Sequence, residues 1–274
     1  MTINCNGELI DLKTPKVMGI LNVTPDSFFD GGQFKGKKNA LKQVEKMLLE
    51  GATFIDVGAY SSRPGASEVS ETLELQRITP IVELILKNFP DTLLSIDTFR
   101  GNVAKECVAR GAVIINDISA GLRDETLLDT VASLRVPYIM MHMRGTPKIM
   151  QAQTNYQHLL QDILFFFSER LCVAKAKGIH DVIIDPGFGF SKTLAQNYEL
   201  LQQLDAFSIA DCPILVGVSR KSMIYKLLET DAKNALNGTT ALHMFALTKG
   251  AHILRVHDVK EAAECVELYK QLAS

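Results

Sequence analysis

Several things are missing from this chain, and each absence removes a class of function. No apolar run approaches the length of a membrane span. The first fifteen residues are polar and lack the apolar stretch of a secretory signal, which points to the cytoplasm. The five cysteines, Cys5, Cys107, Cys172, Cys212 and Cys265, are dispersed, with no Cys-x-x-Cys pair. An odd, scattered set reads as free, buried thiols in a reducing compartment. The formal net charge is only −2, too little charge of one sign for broad binding to nucleic acid or an anionic membrane. No Gly-x-Gly-x-x-Gly follows the first strand-like run, and there is no Gly-x-x-x-x-Gly-Lys-[Ser/Thr] loop. The usual dinucleotide and P-loop phosphate sites are therefore absent. No histidine pair has the spacing of a zinc site.

What the chain does have is apolar material arranged in a rhythm. At 47% hydrophobic and 22% charged residues it can bury a large core. Short apolar runs recur, and each leads to a polar residue. Val17–Leu21 ends at Asn22, and Thr53–Val57 leads to Ser61, Ser62 and Arg63. Leu93–Ile96 ends at Asp97, and Val113–Ile115 at Asn116 and Asp117. Tyr138–Met141 ends at His142, and Val182–Ile184 at Asp185. Ile214–Val216 leads to Ser219-Arg220-Lys221, and Ile253-Leu254 to Arg255 and His257. Helical stripes alternate with these runs, among them Leu41, Val44 and Leu48, then Ile78, Ile81, Val82, Ile85 and Leu86. About eight buried strands separated by helices predict a single-domain (β/α)8 barrel, with the polar strand ends gathered at its mouth. Asn6-Gly7 between two short strand-like runs predicts a β-hairpin over residues 1–15, placed to plug the barrel bottom. The barrel then occupies 16–274.

Asp97, Asn116 and Asp185 close three strands and so meet at the mouth. Two carboxylates and a carboxamide can bind a metal, do acid/base work or read a polar heterocycle. Arg255 and His257 are two residues apart, hence on one side of their strand, and suit a phosphate or pyrophosphate. Asn22 and Arg63 add a second polar pole. Magnesium held by substrate phosphates and one or two side-chain oxygens fits this set. Ser222 can cap or begin a helix after Lys221, where free N–H groups attract an anion. The glycines of Asp185-Pro-Gly-Phe-Gly-Phe permit close backbone approach to a flat ligand. The loop from Asn22 to Gly32, with Phe28 and Phe29, suits a lid.

Together these segments resemble the dihydropteroate synthases, pterin-binding barrel enzymes of folate synthesis. The resemblance spans nearly the whole chain. It rests on Met18-Gly-Ile-Leu-Asn-Val-Thr-Pro-Asp-Ser-Phe, Ser61-Ser-Arg-Pro-Gly, Ile96-Asp-Thr, Ile115-Asn-Asp, Met141-His-Met, Asp185-Pro-Gly-Phe-Gly-Phe, Gly217-Val-Ser-Arg-Lys-Ser and Leu254-Arg-Val-His-Asp. It implies condensation of 6-hydroxymethyl-7,8-dihydropterin pyrophosphate with p-aminobenzoate. It places Asp97, Asn116, Asp185 and Lys221 on the pterin ring, with Met141 and Phe190 along its faces and Asp97, Asp185 and Lys221 as the catalytic set. Asn22, Arg63, Arg255 and His257 would hold pyrophosphate, and Asn22 with Asp30 would meet Mg²⁺. Phe28, Ser62, Pro64 and Ser222 would form the p-aminobenzoate site, where sulfonamides compete. The resemblance also implies a homodimer through barrel helices.

The chain departs from the family pattern at one segment. Where the family reads Gly-Gly-Glu-Ser-Thr-Arg-Pro-Gly, this sequence has Gly58-Ala59-Tyr60-Ser61-Ser62-Arg63-Pro64-Gly65. Ser62 loses a methyl, worth roughly 1 kcal/mol of apolar contact at most. Tyr60 replaces an acid with a phenol. Two other readings share the pterin barrel: a methyltetrahydrofolate-dependent methyltransferase and a non-catalytic pterin-binding paralogue. Neither needs the pyrophosphate pole.

Overall fold

The computed structural model describes residues 1–23, 33–60 and 69–273, the backbone alone for 33–35. The chain opens with β1 (Thr2–Cys5) and β2 (Glu8–Asp11), antiparallel and joined at Asn6-Gly7. Both turn residues adopt positive φ, +54° and +93°, the conformation that a two-residue hairpin needs and that Asn and Gly tolerate. Eight parallel strands follow: β3 (Lys16–Asn22), β4 (Phe54–Gly58), β5 (Leu93–Asp97), β6 (Ile114–Asp117), β7 (Tyr138–Met141), β8 (Val182–Asp185), β9 (Leu215–Val216) and β10 (Ile253–Val256). Each pairs with its sequence neighbour, and β10 pairs back onto β3. An Ile184–Ile214 bridge joins β8 to the start of β9 and closes the ring. The expected barrel is therefore observed.

Strand alternation sorts the side chains into two populations. Ile55, Val57, Leu94, Ile96, Ile115, Met140, Ile184, Val216 and Leu254 face outward into the large core beneath the helices. Met18, Phe54, Ile114, Ile139, Ile183, Leu215 and Ile253 face inward and form a separate apolar cluster. Ile3, Cys5, Ile10 and Leu12 of the hairpin belong to that same inner cluster. The hairpin thus seals the N-terminal end of the barrel with apolar side chains, and the opposite end is left for polar ones.

The helical layer comprises α1 (Gln33–Leu49), α2 (Glu71–Asn88), α3 (Gly101–Val108), α4 (Leu127–Leu134), α5 (Leu159–Ala176), α6 (Leu194–Gln202), α7 (Ser222–Tyr225), α8 (Leu236–Thr248) and α9 (Val259–Ala273). Most predicted stripes face the core, as Ile78, Ile81, Val82 and Ile85 do on α2. On α1 the buried stripe is Ala40, Val44 and Met47, so the helix is rotated from the predicted Leu41–Val44–Leu48 face. Gly19 explains the rotation, because the Met47 sulfur lies 2.6 Å from where a Cβ on Gly19 would stand. All five cysteines are free. Cys5, Cys107 and Cys265 are buried as expected, but Cys172 on α5 is exposed. No helix among the described residues is long and apolar enough to cross a membrane.

Candidate functional site

The site is built by counting two residues onward from the inner apolar cluster. A strand returns to the same face every second residue. Phe54 is therefore followed on the inside by Asp56 and Gly58, Leu93 by Ser95 and Asp97, and Ile114 by Asn116. By the same rule Ile139 leads to Met141, Ile183 to Asp185, Leu215 to Gly217 and Ile253 to Arg255. Register aligns these residues across strands. Asn22 lies beside Gly58, Gly58 beside Asp97, and Asp97 beside Asn116. Met141 lies beside Asp185. The predicted ring-binding set is thus brought together at one end of the barrel.

These groups form a continuous polar network. The Arg255 guanidinium spans two carboxylates, donating from Nε to Asp56 Oδ2 at 2.6 Å and from Nη2 to Asp97 Oδ2 at 2.9 Å. Asp56 also accepts from Ser95 Oγ at 2.7 Å and from Asn116 Nδ2 at 3.0 Å. Tyr60 Oη donates to Asp97 Oδ1 at 2.9 Å. Burial pushes the Asp97 carboxyl up to about 7, against the opposing pull of Arg255 and the Tyr60 hydroxyl. Arg255, which by its place in the sequence suits a phosphate, here also neutralises the carboxylates under the mouth.

A second cluster surrounds Asp185. Its Oδ1 accepts from the Gly187 N–H at 2.8 Å. Burial raises its carboxyl above the ordinary range, with Lys221 and that N–H acting against the shift. Lys221 Nζ donates to the Phe188 carbonyl and stands 4.8 Å from the centre of the Phe190 ring. Burial brings Lys221 down to about 8, while Asp185 opposes the fall. The loop from 186 to 192 is held from behind by Lys192, whose Nζ meets Gly187 O at 2.9 Å, Phe190 O at 3.0 Å and His142 Nδ1 at 3.1 Å. Burial takes Lys192 down to about 7 and His142 well below its usual range, so the imidazole is neutral.

Gly187 makes the loop possible. Its φ is +73°, and a Cβ there would stand 2.1 Å from the His142 carbonyl oxygen. Gly187→Ala therefore strains the backbone and drives a methyl into the end of β7, an expected loss of about 3 kcal/mol or more. Thermal melting should show a large drop or no soluble protein. A wild-type melting temperature would contradict the observed loop conformation.

The loops after β9 and β10 are tied together. Ser219 Oγ accepts from the His257 N–H at 3.1 Å and lies 3.1 Å from its Nδ1. Arg220 makes a two-pronged ion pair with Asp258 at 2.7 and 2.8 Å. Its φ of +52° lets Arg220 reach outward while Lys221 turns to Phe188. Ser222 is the first residue of α7, and Lys221 occupies the cap position without a side-chain capping bond. Asn22, half-buried at the end of β3, offers one amide oxygen at the mouth. Among the described residues no group of three His, Cys, Asp or Glu could hold a metal by itself. A single hard oxygen donor fits a magnesium ion that takes its remaining ligands from phosphates and water. Phe28, Asp30, Ser62, Arg63 and Pro64, with most of the expected lid, lie outside the described residues.

Not every polar strand end enters the site. Asp117 and His142 are one residue out of phase with Asn116 and Met141 and point into the outer layer. Asp117 accepts from Tyr138 Oη at 2.7 Å, and the His142 ring packs edge-on against Phe166 at 4.9 Å. Conversely, Asp56, Ser95, Tyr60 and Lys192 were not assigned to the site from sequence. The in-phase spacing Phe54-x-Asp56-x-Gly58 and Leu93-x-Ser95-x-Asp97 carried the signal for the first two. Tyr60 stands out in the sequence only as a departure from the family segment, and nothing local marks Lys192.

Comparison with known proteins places the chain beside pterin-binding enzymes. The model of the pterin-binding enzyme family matches residues 18–257. The curated dihydropteroate synthase of Haemophilus influenzae is 43% identical over 276 residues, covering 100% of both chains. A Yersinia pestis dihydropteroate synthase solved as a sulfonamide drug complex superposes with a TM-score of 0.94 at 43% identity, covering 100% of this chain and 99% of that one. A Xanthomonas albilineans dihydropteroate synthase solved with 4-aminobenzoic acid gives a TM-score of 0.92 at 37% identity, covering 100% of this chain and 98% of the other.

Proposed function

The chain belongs to the dihydropteroate synthases, a family of pterin-binding transferases of folate synthesis, and from that premise we propose how the barrel mouth divides between the two substrates. The family reaction joins 6-hydroxymethyl-7,8-dihydropterin pyrophosphate to p-aminobenzoate, giving 7,8-dihydropteroate and pyrophosphate. Asp97 and Asp185 accept hydrogen bonds from the pterin ring, Asn116 and Lys221 complete its polar edge, and Met141 and Phe190 flank its faces. The observation that carries this reading is the convergence of buried Asp97, Asn116 and Asp185 from separate strands, with Arg255 locked onto Asp97.

Pyrophosphate falls to Asn22, Arg63, Arg255 and His257. A guanidinium has five N–H donors, so Arg255 can hold Asp56, Asp97 and a phosphate oxygen together. Asn22, with Asp30, would supply side-chain oxygens to Mg²⁺, which when bound spreads the charge of the leaving pyrophosphate. Phe28, Ser62, Pro64 and Ser222 would receive p-aminobenzoate. In the reaction, the bond between the pterin methylene and pyrophosphate breaks, and its electron pair leaves with the pyrophosphate. In their ionised forms, Asp97 and Asp185 stabilise the positive charge spread over the pterin. The aniline nitrogen then attacks the methylene and loses its proton after the bond forms. Positioning and charge stabilisation suffice, with no covalent enzyme intermediate.

The test mixes protein, dihydropterin pyrophosphate, p-aminobenzoate and Mg²⁺ and follows dihydropteroate by mass. Product should vanish on chelation of Mg²⁺ and fall with added sulfonamide. A folded protein that binds pterin without forming product would instead support the methyltransferase or the non-catalytic reading. Cytoplasmic residence and a homodimer through the outer helices belong to the same proposal. They are supported by the lack of a membrane-crossing helix among the described residues and by exposed apolar side chains on the helical layer, such as Phe165, Leu268 and Leu272. Sedimentation as a monomer at assay concentration would remove the dimer.

A further inference from the structure

Tyr60 occupies the position where the family segment carries glutamate, and the structure gives it a definite partner. The side chain is 7% exposed. Its hydroxyl donates to Asp97 Oδ1 at 2.9 Å, while Arg255 donates to the other oxygen at 2.9 Å. The ring is braced edge-on by Phe99, 5.3 Å between centroids at 83°. Phe99 is itself covered by the guanidinium carbons of Arg123 at 3.8 Å and Arg100 at 4.6 Å. Burial and the neighbouring Asp97 hold the phenol well above its usual range. The hydroxyl therefore stays protonated and can only donate to the carboxylate. An ionised glutamate at this position would be an acceptor carrying the same charge as Asp97.

We propose that Tyr60 is a positioning residue for pterin recognition: its hydroxyl, working opposite Arg255, fixes the Asp97 carboxylate in the plane that meets the ring N–H groups. The proposal rests on the assignment of Asp97 to the pterin made above. With one donor on each oxygen, the carboxylate cannot rotate without breaking both bonds. Each oxygen keeps a second lone pair for the ligand. The groups facing Asp97 are Arg255 from β10, Asp56 from β4, Glu74 from α2 and Tyr60 itself. Arg255 and Tyr60 favour the anion, and the two acids oppose it.

Tyr60→Phe keeps the ring and removes only the donor. Its affinity for 6-hydroxymethyl-7,8-dihydropterin, measured by calorimetry at pH 7, should fall about 10-fold. The acid limb of kcat/KM for the pterin substrate should move to higher pH. The KM for p-aminobenzoate at saturating pterin should stay within about twofold, since Asp97 does not touch that substrate in this reading. Unchanged pterin affinity and an unmoved acid limb would overturn the proposal. So would an equal loss on both substrates with no change in the pH profile, which marks a structural role. If the wild-type protein itself does not bind the pterin, the assignment of Asp97 fails first. Should Tyr60→Phe not fold, ring-labelled tyrosine in the wild-type protein takes its place. One of the six tyrosine signals should then respond to pterin and to titration near pH 7, and silence in both would overturn the proposal.

Discussion

Asp97→Asn should lower kcat/KM for the pterin substrate by about a thousandfold, roughly 4 kcal/mol of transition-state stabilisation. The substitution is nearly isosteric, so the effect comes from chemistry. Asp97 accepts from two donors, Tyr60 Oη and Arg255 Nη2, one on each oxygen. A carboxamide has one oxygen and one NH₂, so with its oxygen on Arg255 its NH₂ faces Tyr60 Oη, which can accept only by turning its own hydrogen away from the position it now bonds. Leaving a buried donor unpaired costs about 1–3 kcal/mol. The ring N–H loses a charge-assisted acceptor, worth about 1.5–3 kcal/mol. The positive charge that develops on the pterin also loses one of its two nearby anions, an effect confined to kcat. The loss should therefore divide between pterin affinity and kcat, with the KM for p-aminobenzoate little changed. Steady-state kinetics on a variant with an unaltered circular dichroism spectrum decides the matter. Wild-type kcat/KM would remove Asp97 from the reaction.

Arg255→Met should be strongly destabilising. Arg255 holds Asp56, whose side chain is 0% exposed, and Asp97, 7% exposed. Removing one partner of a buried ion pair leaves the other uncompensated, at a cost of about 3–5 kcal/mol. For a chain of this size that is a fall in Tm on the order of 10 °C. The pH dependence has a definite sign. Burial raises the Asp97 carboxyl from 3.8 to about 7 in the folded protein, and Arg255 acts to lower it. A carboxyl whose folded value is raised favours the folded state below its unfolded pKa, and that contribution is lost as pH rises through the folded value. Without Arg255 the folded value climbs further and the loss continues to higher pH. The deficit of Arg255→Met should thus be smallest near pH 4 and grow through pH 7 and above. Denaturant melts at pH 5 and pH 8 provide the check. An equal deficit at both would show that Arg255 is not compensating Asp97.

The barrel and most of its ring-binding set were legible in the chain itself because both depend on local periodicity. Short apolar runs of strand length, helical stripes between them and a polar residue at each run's end define the fold and the mouth. Asn6-Gly7 marked the hairpin for an equally local reason, the positive φ that its two turn residues tolerate. On α1 the leucine pattern points to the wrong face, because the small Gly19 on β3 draws Met47 inward instead. Asp117 and His142 are polar strand-end residues like those of the mouth, yet each is one residue out of phase and faces the outer layer.

Patterning along the chain dictates that eight strands alternate with helices, and that Asp97, Asn116, Asp185 and Arg255 stand at strand ends of one sheet. Side-chain period and apolar patterning are properties of neighbouring residues, so they can be read along the chain. Barrel closure, by contrast, brings Arg255 onto Asp56 and Asp97, sets Lys192 and His142 against the Asp185 loop from outside the barrel, and places the Tyr60 hydroxyl on Asp97. These contacts join residues far apart in the chain. They are selected because charges and hydroxyls buried by barrel closure are costly unless they find partners.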